Sequence, residues 1–213
     1  MMSTSSDARF WDRASTKYAR STIKDQAGYE RTLERTRGLL TPDAVALELG
    51  CGTGTTALRL APGVRSYLAT DISPGMIAIA QEKLDADPVD QLAFRTATAE
   101  ALSGEDTRFD IVLGFNYLHL VRDLPGTLRA IHALLEPDGL FISKTVCLGD
   151  MNPLIRLVLL PVMRLVGLAP PVGVFDAAGL ERSIRQAGFE IVAQESHASK
   201  GKDTRPFIVA RKR

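Results

Sequence analysis

Three glycines alternate along Glu48-Leu49-Gly50-Cys51-Gly52-Thr53-Gly54, directly after an apolar run, and Asp71 follows Gly50 by twenty-one residues (71 − 50) in Leu68-Ala69-Thr70-Asp71-Ile72. Backbone without side chains can approach a ligand closely, and a carboxylate at the end of the next strand can grip a ribose diol. That pairing is the chemistry of a nucleoside-cofactor site. A hydride-transfer turn of the form G-x-G-x-x-G would need glycine or alanine at position 55, where Thr55 stands. A phosphate-binding loop would need a lysine just after the turn, and none follows. The remaining alternative, a tight turn with no ligand, leaves Glu48, the three glycines and Asp71 without a common purpose.

Such a site has to be held by strand ends. Val45 to Leu49 reads as a short buried strand, followed by a helix containing Ala57, Leu58 and Leu60. Tyr67 to Ile72 is a second strand. Ser73 then caps a helix with Pro74 at its first position and Met76, Ile77, Ala80 and Leu84 inward. Leu92 to Arg95 is a weak third strand and Phe109 to Gly114 a strong fourth. A helix with Leu124, Leu128, Ile131 and Leu135 on its apolar face follows, and Pro137-Asp138-Gly139 turns into a fifth strand over Leu140 to Val146. Asp176 caps a helix with Leu180, Ile184 and Ala187 inward, stopped at Gly188, before two last strands at Phe189 to Val192 and Phe207 to Ala210. Ahead of the first strand, a helix carries Tyr29, Leu33, Thr36 and Leu40 and ends at Thr41-Pro42-Asp43. Strands alternating with helices imply an α/β fold whose parallel sheet is covered on both faces.

The chain of 213 residues has the length of one α/β domain. We expect an N-terminal helical cap over residues 1–40, a cofactor-binding core over 41–150, an apolar insertion over 151–175 and a C-terminal helix with two strands over 176–213. With 26 basic and 25 acidic side chains the net charge is +1, so no field is available to hold a phosphate backbone and nucleic acid is not expected as a partner. Two cysteines, Cys51 and Cys147, cannot make a disulfide framework, and no secretory leader precedes Asp7, which reads as a cytoplasmic protein. The insertion 151–175 is too interrupted by Pro161, Arg156 and Arg164 to cross a bilayer, although two arginines in an apolar run would suit peripheral membrane contact.

Residues 44 to 146 resemble, motif by motif, the class I S-adenosylmethionine-dependent methyltransferase family, in the branch of bacterial methylases acting on quinones, phospholipids and other small metabolites. Val45 to Gly54 is similar to that family's first motif. The resemblance implies backbone at Gly50, Cys51, Gly52 and Gly54 lying against the methionyl part of S-adenosylmethionine, with Glu48 near its positive charges. It implies further that Asp71 takes both ribose hydroxyls while Ile72 and Met76 flank the adenine. Thr98-Ala99-Glu100-Ala101-Leu102 resembles the segment over the other adenine edge. Thr98 stands where many relatives carry an acid, and the amides of Ala99 and Glu100 would serve the exocyclic amine. Asp110 to Asn116, including Phe115, resembles the fourth motif, and Leu134 to Leu140 the later turn. The implied architecture is Rossmann-like: a seven-stranded sheet of order 3-2-1-4-5-7-6, strand 7 antiparallel, with helices on both faces and ligands beyond the strands' carboxyl ends.

Methyl transfer from a sulfonium mainly requires alignment of donor and acceptor and exclusion of water, so a base is optional and no metal is needed. His119, just after the fourth motif, is the candidate to accept a proton or bind substrate; its plainer reading is a histidine packed between Leu118 and Leu120. Tyr18 and Tyr29, on the segment that in relatives folds over the cofactor, are candidates for the acceptor pocket or for half-buried packing. Cys51 supplies small bulk in the turn, with no activating base near it in sequence. An amino-group methylase of nucleic acid would show Asn/Asp-Pro-Pro-aromatic after strand four, and here the element is Asn116-Tyr117-Leu118-His119. The acceptor is therefore expected to be small and, under an apolar lid, lipophilic, with the protein a monomer or homodimer. A non-catalytic S-adenosylmethionine-binding sensor or partner subunit is the alternative.

Overall fold

Two helices, α1 (Thr4–Ala19) and α2 (Gln26–Arg37), precede the sheet in the computed structural model, which describes residues 4–151, 173–201 and 203–213. The chain then runs β1 (Val45–Leu49), α3 (Thr55–Leu60), β2 (Ser66–Asp71), α4 (Pro74–Ala86), β3 (Leu92–Thr96), the single turn α5 (Ala99–Leu102), β4 (Phe109–Phe115), α6 (Leu124–Leu134), β5 (Leu135–Lys144), α7 (Ala177–Gln186), β6 (Phe189–Glu195) and β7 (Phe207–Lys212). The seven strands lie in the order β3-β2-β1-β4-β5-β7-β6. β7 is antiparallel to both β5 and β6, and the other pairings are parallel.

The short apolar strands are continuous rather than alternating in hydrophobicity because both faces of the sheet are covered. Along β1, Leu47 and Leu49 enter the cluster containing Leu128, Ile131 and Leu134 of α6 and Leu180 and Ile184 of α7. Ala46 points the other way, into the cluster with Leu33 of α2 and Ala57 and Leu60 of α3. The same alternation separates Val112 from Ile111 and Leu113, and Phe141 from Ile142.

Helix starts follow the side chains that can satisfy free backbone amides. Ser73 accepts from Met76 N with Pro74 next to it, and Asp176 accepts from Gly179 N. Two expectations are corrected. Leu135 does not extend α6 but opens β5 by pairing with Phe109, and Pro137-Asp138-Gly139 lies inside that strand as a bulge, the register shifting between Phe109 and Ile111 with Asp138 at φ 62. Nor does α2 run to Leu40; Gly38 closes it with its amide on Glu34 O.

The apolar insertion over 151–175, with Arg156 and Arg164, lies outside the described residues except for Met151 and residues 173–175. Where the chain is described again, Gly173 N donates to His119 O at 2.7 Å. Among the described residues no helix is long and apolar enough to cross a membrane.

Candidate functional site

The carboxyl ends of β1, β2 and β4 open onto a cavity of about 780 Å³, within the roughly 300–1,000 Å³ usual for small-molecule sites. Its floor is the turn after β1. Gly50, Gly52 and Gly54 take φ values of 69, 55 and 75, the left-handed region that favours glycine. A Cβ on Gly50 would stand 2.8 Å from Cδ2 of Tyr117, and one on Gly52 would stand 3.4 Å from Cε1 of Tyr18, so bare backbone keeps the cavity open. Gly54 serves the fold instead. It lies behind the cavity wall, where a Cβ would meet Phe94 Cζ at 2.6 Å and Ala80 Cβ at 2.9 Å. Gly54→Ala is accordingly expected to cost stability, about 2–4 kcal/mol from overpacking and left-handed strain together, as a lower midpoint in denaturant unfolding.

Asp71 ends β2 and lines the cavity with 9% of its surface exposed. Its Oδ1 accepts from Ser73 N and its Oδ2 from Gly52 N, both at 2.9 Å, so the carboxylate is aimed by two backbone amides while each oxygen keeps a second lone pair. Burial raises its carboxyl above the usual range, and the amides of Ser73, Gly52 and Ile72 pull it back. Ile72 and Met76 line the same wall, with Ala97 and Thr98 also lining the cavity. The Thr98 hydroxyl caps α5 by accepting from Ala101 N. Glu100 lines the cavity with Oε1 held by Thr127 Oγ1 at 2.6 Å, whereas Ala99 is fully buried behind it. A carboxylate held by two amides at the cavity wall, a glycine floor and an apolar slot fit the nucleoside and amino-acid parts of S-adenosylmethionine.

Glu48 and Cys51 fall outside the cavity lining. The Glu48 side chain turns into the core, where Tyr67 OH donates to Oε2 at 2.8 Å; burial pushes its carboxyl up to about 7, with the Tyr67 hydrogen bond opposing and the Asp71 charge assisting. Desolvation pushes the Cys51 thiol far up, first of all causes, so no thiolate is available there. Of the acceptor-side candidates, His119 and Tyr18 line the main cavity. Tyr29 lines a second cavity of about 370 Å³, which shares Tyr18, Phe115, Asn116 and Arg205 with the first, and its hydroxyl meets Thr56 Oγ1 at 3.1 Å. His119 is half-buried, with Nδ1 2.9 Å from Thr145 Oγ1, and desolvation pushes it down to about 4.

Sequence reasoning missed the residues that fasten α1 across the opening. Arg122 donates to both Asp7 oxygens at 2.7 Å, and Asp12 Oδ1 accepts from Ser73 Oγ at 2.6 Å and Gly75 N at 3.0 Å. Trp11 of α1 lines the cavity beside them. The aromatic cluster Phe10-Trp11 among charges was the legible signal. Asn116 and Tyr117 belong to the segment after strand four that the sequence marks, but their place in the lining depends on the strand-end turn in which Asn116 takes φ 51.

Residues 46–139 match the family model described as a methyltransferase domain. The chain is 32% identical over 173 residues to a mitochondrial arginine-hydroxylase of Danio rerio, covering 80% of this chain and 52% of that protein. It is 36% identical over 100 residues to a ubiquinone biosynthesis O-methyltransferase of Methylocella silvestris, covering 47% of this chain and 39% of that one. The chain thus spans about half the length, or less, of these curated relatives. In fold it is similar to the magnesium protoporphyrin IX methyltransferase of Synechocystis PCC 6803 crystallised with S-adenosylmethionine, at a TM-score of 0.72 and 15% identity over 99% of this chain and 97% of that one.

Proposed function

The chain belongs, through its methyltransferase domain at residues 46–139, to the class I S-adenosylmethionine-dependent methyltransferases, and on that premise we propose that it methylates a small acceptor with a lipophilic body, seated in the second cavity. The observation that carries this reading is that two neighbouring cavities share Tyr18, Phe115, Asn116 and Arg205 as lining, one of them floored by the glycine turn and walled by Asp71.

S-adenosylmethionine, when bound, supplies a methyl group activated by its sulfonium. The chain's own residues position and shield. Asp71, aimed by Gly52 N and Ser73 N, holds the ribose, and the floor at Gly50 and Gly52 admits the methionyl chain without a side chain in its way. α1, fastened by Asp7–Arg122 and by Asp12 on Ser73 and Gly75, keeps water from the reacting centre. For an acceptor that must lose a proton, His119 is the group at hand. Held down to about 4 by burial, it is neutral at pH 7, and the tautomer in which Nδ1–H donates to Thr145 Oγ1 presents the Nε2 lone pair.

Purified protein incubated with isotopically labelled donor and metabolite pools should transfer label to small acceptors. His119→Gln should then lower the transfer rate by roughly 10²–10⁴ for hydroxyl or amine acceptors, while adenosylhomocysteine affinity stays within about threefold of wild type. Equal rates would remove His119 from proton transfer. The likeness to an arginine-hydroxylase over 80% of the chain favours a second reading, modification of an arginine without methyl transfer. Binding of adenosylhomocysteine with no labelled product from any pool would favour that reading or a cofactor-sensing role.

A further inference from the structure

The second cavity is cationic on one side. Lys144 ends β5, paired with Phe115 of β4 and Phe207 of β7, and Arg205 stands two positions before Phe207 (207 − 205). Both residues line the second cavity and both are half-buried. Among the described residues neither makes an ion pair. Lys144 Nζ donates to Thr32 Oγ1 at 2.9 Å, and that hydroxyl, committed to Gly28 O and in contact with His197 Nδ1 at 3.0 Å, fixes where the ammonium sits.

The nearby carboxylates Asp203 and Asp25 keep their charge and act on the Lys144 ammonium without closing an ion pair with it, each held by other donors. Asp25 accepts from Gly28 N, Ser199 N and Ser199 Oγ. Asp203 accepts from the amides of His197, Ala198 and Arg205 and from Ser196 Oγ. Arg31, the other cation acting on Lys144, is spent on His197 O through two bonds. Lys144 and Arg205 repel each other across this space, a cost that Asp203 and Asp25 offset only in part and that an anion held between the two cations would relieve. The remaining lining sets Phe115, Ile23 and Tyr29, apolar or aromatic surface that a charged group alone would not use, beside the hydroxyls of Thr22, Thr53, Thr55 and Thr56.

We infer that Lys144 and Arg205 hold a terminal oxyanion group of the methyl acceptor, a carboxylate or a phosphomonoester, whose lipophilic body lies against Phe115, Ile23 and Tyr29. This rests on the second cavity being the acceptor site. The acceptor is then amphiphilic, and the arginine fork and lysine point charge select against its neutral analogues.

Benzoate, phenyl phosphate and uncharged benzamide serve as probes, each titrated calorimetrically into the full chain with and without saturating adenosylhomocysteine. At least one anion should bind about tenfold or more tighter than benzamide, and lose about tenfold in Lys144→Gln and in Arg205→Gln. Lys144→Arg, which keeps the charge, should retain the preference. Whichever anion binds tighter identifies the head group. Equal binding of benzamide and both anions overturns the inference, as does an anion preference unchanged in both glutamine variants. Adenosylhomocysteine affinity reports that Lys144→Gln is folded. If a variant does not fold, the wild type still decides, because the anion preference should shrink as salt rises from low to high concentration. Wild type that binds anions but no adenosylhomocysteine would sink the methyl-transfer reading alone; the opposite pattern would sink the anion site alone.

Discussion

Asp71→Ala should weaken adenosylhomocysteine binding by a factor of at least about a hundred, roughly 3 kcal/mol, through loss of two charge-assisted hydrogen bonds worth about 1.5–3 kcal/mol each. The effect is large because the carboxylate is prearranged: Gly52 N and Ser73 N orient it before any ligand arrives, so little entropy remains to be lost on binding. Asp71→Asn keeps an acceptor of the same shape and should fall between wild type and alanine. Calorimetry gives the affinities, and a thermal unfolding midpoint near that of wild type separates a lost contact from a lost fold. Affinity unchanged in Asp71→Ala would end the ribose assignment, and with it the reading of the main cavity.

Glu48→Gln should change how stability depends on pH. A buried carboxyl pushed up to about 7 binds its proton more tightly in the folded chain than in the unfolded one, where the ordinary value is 4.5. Between those values the folded state holds more protons, so Glu48's contribution falls as pH rises through the window and is level above it. The gap between 4.5 and about 7, at about 1.36 kcal/mol per pH unit, amounts to about 3 kcal/mol at full burial. His119 acts in the opposite sense. Pushed down to about 4 from 6.5, it lets stability fall as pH drops through that range, so the wild-type curve alone mixes the two. The difference between wild type and Glu48→Gln isolates the glutamate. The variant, which keeps a partner for Tyr67 OH, should gain on wild type by about 3 kcal/mol from pH 4.5 to 7 in urea unfolding. A constant difference would mean that Glu48 is not held neutral in the core.

The two residues show why a motif does not state its own geometry. Glu48 and Gly50 are two positions apart, yet only Gly50 lines the cavity: Glu48 lies within β1 and follows its alternation to the Ala46 side, towards Tyr67, whereas Gly50 at φ 69 has already turned out of the strand. The three glycines likewise look equivalent in sequence. Two of them keep the cavity floor bare and the third makes room for Phe94 and Ala80, a distinction that depends on which neighbours pack behind the turn. Helix ends were easier to read where a side chain satisfies a free amide within three residues, as Ser73 and Asp176 do. The start of β5 was not, because Leu135 fits a helix period as well as a strand, and its pairing with Phe109 decided.

Local chemistry written along the chain therefore determined the strand-turn-helix unit, the carboxylate one strand later and the nucleoside class of the cofactor, while the order of the sheet was implied by the family resemblance. The first three follow from propensities and spacings that act over a few tens of residues. Only the folded chain set Lys144 beside Arg205, Asp7 against Arg122 and Asp12 on Ser73, pairs separated by 61 to 115 positions (205 − 144, 73 − 12, 122 − 7). No periodicity reaches that far; such neighbours are made when the sheet brings distant strand ends to one edge, and they are what shape and charge the acceptor side.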